Sequence, residues 1–281
     1  MNVKTVCICG AGTMGNGIAQ VCATAGFRTV LYDLDKEILQ KAKNNIENNL
    51  IKLVEKQKVS ETEKQRILKR LQFTSDIEEC VGNIIIESIV EQLGAKISLF
   101  NKVLAINNTE AIFASNTSSL SLTEIAKSLK EPEKIIGLHF FNPAPLMKLV
   151  EVVKTVFTKE ETLQTAISFV RSLNKTPVIC NDSPGFIVNR VARPFYIESL
   201  RLIEEGQTSL EIIDGLLENR GFKMGPFKLM DLIGNDINYA VSCSVYEQLK
   251  RPTRLKPSDI QKEKVDKGEL GKKTGKGYYQ Y

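Results

Sequence analysis

The sequence predicts an α/β protein, a mostly parallel sheet doubly wound by helices, followed by an all-α segment. Three observations carry this. From Val3 to about Val178, short β-rich apolar runs alternate with amphipathic or charged stretches, the grammar of βαβ units. The first of these runs leads directly into Gly10-x-Gly12-x-x-Gly15. At Ser183-Pro184-Gly185 the alternation stops and helical periodicity takes over. A chain of 281 residues accommodates two domains at ~100–200 residues each, and the Pro-Gly turn divides it into 1–182 and 183–281.

The strand candidates, in order, are Val3–Cys9, Arg28–Tyr32, Ile84–Ser88, Ile112–Ser115, Ile135–Phe141, Leu149–Lys154 and Thr176–Ile179. Between the second and third lies a polar insert, Lys36 to Leu71, that breaks near Lys58–Ser60. Ser60 with Glu63 has capping-box spacing, so the insert reads as two helices forming a hairpin arm. An exposed hairpin with no task is the alternative. Beyond Gly185, helical periodicity runs through Arg190–Glu205, Ser209–Asn219 and Phe227–Leu249. The tail from Lys272 to Tyr279 is too glycine-rich for a helix and aromatic enough to dock on something.

Composition excludes several classes. Apolar residues at 42% and charged residues at 25% describe a globular chain rather than a disordered one. The net charge of +5 is spread thinly, without the aromatic-interleaved basic run of a nucleic-acid groove, so acidic small molecules are the expected partners. Six scattered cysteines have no CxxC pair and no zinc spacing; they read as small buried residues in a reducing cytoplasm, and no metal is expected. No apolar run approaches the ~20 residues of a membrane span, and no charged leader precedes Val3, so a cytoplasmic protein without a membrane partner is expected.

The glycine motif is specific because of its setting. Gly10 permits a tight turn, Gly12 lets the backbone approach a pyrophosphate, and Gly15 lets helix and sheet pack, with the helix N-terminus facing the phosphates. The strand Arg28–Tyr32 ends at Asp33, 18 residues after Gly15, where an acid should meet a ribose. This strand–turn–helix–strand–acid order is Rossmann-like. A carboxylate at Asp33 accepts from a 2′-hydroxyl and repels a 2′-phosphate, which favours NAD(H) over NADP(H). Asp35 satisfies nearly the same spacing, but it is better placed to cap a helix starting near Lys36.

His139 is the only histidine in the chain, and histidine is the residue type suited to acid–base work near neutrality. A lone histidine on an apolar strand is commonly a packed core residue. Its context, Gly137-Leu138-His139-Phe140-Phe141-Asn142-Pro143, is instead the end of a strand, where open α/β sheets place ligands. Glu151 interrupts the apolar run Leu149–Val153, where an unpaired carboxylate is costly, and a neighbouring His139 could supply its partner and stabilise the imidazolium. A carboxylate pointing to solvent from an edge strand is the alternative. Ser118 and Ser119, after Ile112–Ser115, cannot be separated by spacing. Asn189 lies on an otherwise apolar helical turn and could bind a ligand or cap a neighbouring backbone group.

Together GAGTMGNGIAQ, ASNTSSL, GLHFFNPAPLMKLVEVV, DSPGFIVNR, MGPFKLMDLIG and GKKTGKGYY resemble the L-3-hydroxyacyl-CoA dehydrogenase family over nearly the whole chain, most of all its short single-function 3-hydroxybutyryl-CoA members from anaerobic bacteria. The resemblance implies interconversion of acetoacetyl-CoA and 3-hydroxybutyryl-CoA, with His139 as acid–base, Glu151 orienting it, and Ser118, rather than Ser119, with Asn189 holding the substrate. It implies NAD(H) contacts at Gly10, Gly12, Thr13, Met14, Gly15, Asp33, Glu91 and Asn116. Substrate contacts fall at Ser118 and Asn142, and at Lys52 and Lys56 for the coenzyme A phosphates. A substrate cleft between two domains and a homodimer formed by the helical domain are also implied. Three departures, Ser88 for alanine, Gln92 for asparagine and Asn235 for an apolar residue, avoid the catalytic positions. The rival expectations are a related dehydrogenase of a free hydroxy or sugar acid, and a non-catalytic NAD-binding protein.

Overall fold

The computed structural model describes residues 3–108 and 110–281, and the chain forms two compact units, 1–182 and 183–281. The first opens with β1 (Thr5–Cys9), α1 (Thr13–Thr24) and β2 (Arg28–Tyr32), followed by α2 (Lys36–Glu55) and α3 (Glu61–Lys69). Then come β3 (Leu71–Thr74), β4 (Ile84–Glu87), α4 (Leu93–Ile106), β5 (Ile112–Ser115) and α5 (Leu122–Lys127). The unit closes with β6 (Ile135–Phe140), β7 (Leu149–Lys154), α6 (Glu160–Ser172) and β8 (Thr176–Asn181).

These strands form one sheet in the order β3-β2-β1-β4-β5-β6-β7-β8. All neighbours are parallel except β6 and β7, which are antiparallel. The chain travels outward from β1 to β3 and then crosses back to β4, which makes the β1/β4 boundary the switch point where open sheets bind ligands. Residues such as Val6, Ile8, Ile84 and Ile86 are fully buried because central parallel strands are covered on both faces.

Two expectations about the insert are corrected. Leu71 does not end a polar stretch but begins β3, which pairs in parallel with β2 from Thr29↔Leu71. Its residues are mostly half-buried at the sheet edge, so its apolar signal is weak. Nor does the helical hairpin stand off as an arm: Leu39, Ala42, Ile46, Leu50 and Ile67 share one core with Ile18 and Cys22 of α1. Ser60 Oγ caps α3 by accepting from Glu63 N at 3.1 Å, while the Glu63 carboxylate pairs with Arg70 at 3.2 Å. Strand ends shift by one or two residues, with β1 starting at Thr5 and β8 running to Asn181.

The second unit contains α7 (Val188–Glu204), α8 (Leu210–Asn219), α9 (Pro226–Ile233), α10 (Asn235–Gln248) and α11 (Asp259–Asp266). The expected single helix Phe227–Leu249 is two, because Gly234 takes φ 104° and its N–H closes α9 onto Met230 O. The helix α11 was not expected. The tail docks on α9: the buried Asp231 carboxylate accepts from Tyr278 N and Tyr279 N, both at 2.9 Å. Gly277 is required there, since a Cβ would lie 2.0 Å from Asp231 Oδ1. Asn235 joins the same knot, donating to Asp231 Oδ1 at 3.0 Å. Among the described residues no helix is long and apolar enough to cross a membrane.

Candidate active site

The turn after β1 is built from backbone constraints. Gly10 has φ 106°, its N–H donates to Tyr32 O at 2.7 Å, and a Cβ would lie 2.4 Å from Ser88 O. At Gly15 a Cβ would lie 1.7 Å from Gly10 O, so α1 could not approach the turn with any larger residue. At Gly12 a Cβ would meet nothing within 4 Å. Gly12 is therefore kept free of a side chain on a side that the protein leaves open. It is also the N-cap of α1, with no side-chain cap and no acid in the first turn to compete for the N–H groups of Thr13 and Met14.

Asp33 lies just beyond β2 and its carboxylate accepts from Ala11 N at 2.8 Å and Asp35 N at 3.0 Å. These bonds aim it across the glycine turn, and a carboxylate retains lone pairs for a ribose hydroxyl. Asp35 is occupied as the α2 N-cap, accepting from Glu37 N at 2.7 Å. Loop, helix end and half-buried acid together fit a dinucleotide.

On the other side of the switch point, β6 and β7 are in register His139↔Glu151. His139 Nδ1 and Glu151 Oε2 are 2.7 Å apart, with the carboxylate fully buried. The solvent-facing alternative for Glu151 is excluded, because β8 covers β7 and β7 is not an edge strand. The ring of Phe141 packs on the imidazole at 4.5 Å between centroids. The backbone beside His139 is tied to β5 by Asn116, whose Oδ1 accepts from Phe140 N at 2.9 Å.

The loop after β5 is organised by Glu91. Its carboxylate accepts from Thr117 Oγ1 at 2.5 Å, Ser118 N at 3.1 Å and Ser119 Oγ at 3.0 Å. Burial pushes the Glu91 carboxyl up, but the nearby Lys96 charge and these hydrogen bonds outweigh it and hold the group below its ordinary range. The Ser119 hydroxyl is thus engaged, whereas that of Ser118 makes no hydrogen bond among the described residues. Asn142 follows β6 and is exposed. Lys52 and Lys56 are exposed at the C-terminal end of α2. Asn189 sits half-buried in the first turn of α7 in the second unit, its carbonyl accepting from Arg193 Nε at 2.9 Å.

Two supporting groups escaped the sequence reading. Buried Lys96 bridges Glu87 at 2.5 Å and Glu91 at 3.1 Å, and Ser115 Oγ donates to the other Glu87 oxygen. Glu87 ends an apolar run just as Glu151 interrupts one, so the same signal was present. Lys175 donates to Ala144 O and Met147 O, both at 2.6 Å, and shapes the loop that follows His139. Nothing local marks it. The loop also touches the nucleotide helix: a Cβ on Gly17 would lie 3.2 Å from both Ala144 Cβ and Pro145 Cδ.

Residues 5–183 match the NAD-binding domain of 3-hydroxyacyl-CoA dehydrogenase, and residues 185–281 match the C-terminal domain of the same family. The chain belongs to the 3-hydroxyacyl-CoA dehydrogenase family. It is an NAD-dependent enzyme of that family, with NAD(H) as its cofactor. It is 44% identical over 283 residues to the 3-hydroxyadipyl-CoA dehydrogenase of Escherichia coli (strain K12), covering 100% of this chain and 60% of that longer protein. It is 41% identical over 288 residues to the mitochondrial hydroxyacyl-coenzyme A dehydrogenase of Sus scrofa, covering 99% and 91% of the two. The crystal structure of (S)-3-hydroxybutyryl-CoA dehydrogenase from Ralstonia eutropha superposes with a TM-score of 0.95 at 35% identity, covering 100% and 99%.

Proposed function

We propose that this 3-hydroxyacyl-CoA dehydrogenase interconverts acetoacetyl-CoA and (S)-3-hydroxybutyryl-CoA. The observation that carries the reading is the buried His139–Glu151 pair at 2.7 Å, formed by the one histidine in the chain at the ligand-binding edge of the sheet. The four-carbon substrate is supported by the name of the Ralstonia eutropha enzyme, which is similar over its whole length.

When bound, NADH supplies the hydride to C3 of the thioester. With Nδ1 turned to Glu151, His139 Nε2 is the nitrogen that donates a proton to the forming alkoxide, and in oxidation it takes the hydroxyl proton back. Glu151 fixes the tautomer and balances the imidazolium charge. The Ser118 hydroxyl holds the substrate oxygen, with Asn189 as a second hydrogen-bond partner. Thr13 and Met14 N–H groups hold the pyrophosphate, Asp33 the adenosine ribose, and Glu91 and Asn116 the groups around the nicotinamide. Asn142 lies along the acyl thioester, while Lys52 and Lys56 take the phosphates of coenzyme A.

The second unit is proposed to form a homodimer. Leu232 and Ile237 are each about half exposed there on adjacent helices, which is apolar area a lone unit leaves in water. Six free thiols suit a cytoplasmic location.

The test is loss of NADH absorbance on adding acetoacetyl-CoA, run beside NADPH and beside free acetoacetate. Rapid oxidation of NADH by the thioester alone is expected. Turnover of free acetoacetate would shift the reading to a hydroxy-acid dehydrogenase, and NADH binding without turnover would make the protein a non-catalytic one.

A further inference from the structure

Cys7 and Cys9 alternate with Val6 and Ile8 along β1, so their side chains share one face of the sheet while the valine and isoleucine join the core under α1. Cys80 arrives from a distant segment, directly after the short 3-10 turn Ile77–Glu79 that Asp76 caps. All three are fully buried. Their sulfurs lie within 4.8 Å of one another, and Cys7 Sγ and Cys9 Sγ are 3.9 Å apart. An ion held at the ~2.3 Å metal–sulfur distance by three thiolates requires the sulfurs roughly 3.8–4.0 Å apart, which the Cys7–Cys9 pair already meets.

We propose that Cys7, Cys9 and Cys80 form a binding site for one divalent, thiophilic d10 metal ion held by three thiolate sulfurs. The donor set selects the class, because soft sulfur ligands favour zinc-group ions over magnesium, calcium or manganese. Charge selects the valence: three thiolates around a divalent ion leave a single negative charge to bury, and around a monovalent ion two. Binding forms three metal–sulfur bonds without change of oxidation state. It releases the thiol protons to solvent.

A cleft is lined by neighbours of the cluster in register and in sequence. It measures about 470 Å³, lies at the starts of the strands and has Val30, Glu79 and Val81 in its wall. Val30 is the register partner of Cys7, and Glu79 and Val81 flank Cys80 in the chain. The site lies within the first unit and asks nothing of the dehydrogenase reaction.

The experiment uses the full, reduced, metal-stripped chain and Cd²⁺ alone as the probe. Ultraviolet thiolate-to-cadmium charge-transfer absorption is recorded together with proton release in a weakly buffered solution. Expected is a break at one equivalent accompanied by release of thiol protons, lost in Cys80→Ala and kept in Cys22→Ala/Cys180→Ser/Cys243→Ser. Each variant is first shown to bind NADH; if Cys80→Ala does not, Cys7→Ala replaces it. Absence of the one-equivalent break in the unmodified chain overturns the proposal. So does its survival in the Cys80→Ala or Cys7→Ala variant, or its loss in the triple control.

Discussion

The Ser119 hydroxyl donates to Glu91 Oε1 at 3.0 Å, and that bond separates it chemically from Ser118, whose backbone N–H reaches the same oxygen at 3.1 Å. The hydroxyl of Ser119 is spent on holding the loop, whereas that of Ser118 makes no hydrogen bond among the described residues. Ser118→Ala should therefore lower kcat/KM for the thioester by ~10²-fold, in line with removal of one preorganised donor. Ser119→Ala should act instead through Glu91, weakening NADH binding more than it slows the chemical step. Steady-state kinetics and NADH titration on both variants decide this, and equal losses in kcat/KM would make the hydroxyls interchangeable.

Glu151→Gln keeps the shape of the side chain but removes the charge facing His139. The expected outcome is a fall in kcat of ~10²–10⁴-fold, the range for impaired acid–base catalysis, with the NADH dissociation constant unchanged because the glycine turn is untouched. A variant that retains near-native kcat would leave Glu151 a merely structural acid.

Lys52 and Lys56 are four residues apart near the end of α2, so they share one face of the helix. Replacing both with glutamate should raise KM for the coenzyme A thioester several-fold and leave KM for NADH alone. The effect should shrink as salt screens it over a Debye length of ~8–10 Å. A KM indifferent to both mutation and salt would remove coenzyme A from this surface.

The docked tail sets a pH dependence of stability. Hydrogen bonds from Lys264 and then Lys276 pull the Glu269 carboxyl down from 4.5 to about 2. A depressed carboxyl binds its proton less readily in the folded state than in the unfolded one. Its contribution is thus present above about 4.5 and is lost as pH falls toward about 2. Measured as the difference in Tm between the native chain and Glu269→Gln, the gap should be widest near neutrality and should close across that window. A gap independent of pH would show that the two lysines do not favour the ionised form.

Much of this molecule is legible without coordinates because the signals are local. The turn Gly10–Gly15 is dictated by contacts within a few residues: Gly15 closes on Gly10 itself, and the strand before and helix after are continuous in sequence. The helical break at Gly234 and the edge strand at Leu71 were missed for the converse reason. A single glycine inside a periodic run and a half-buried four-residue strand carry too little pattern to outweigh their neighbours.

The amino-acid sequence by itself determined the fold class, the dinucleotide loop, the acid at Asp33 and the candidacy of His139 and Glu151, since each rests on residue type within a short window. Tertiary structure decided what those residues do to one another. Glu151 meets His139 only because β7 pairs antiparallel with β6 and does so in that register. Ser118 is distinguished from Ser119 only because the loop carrying Glu91 folds over both. Cys80 joins Cys7 and Cys9 only because β4 pairs with β1 and brings the preceding turn beside it. Pairing between segments far apart in the chain depends on the register and direction of the whole sheet, and no local run of residues encodes that.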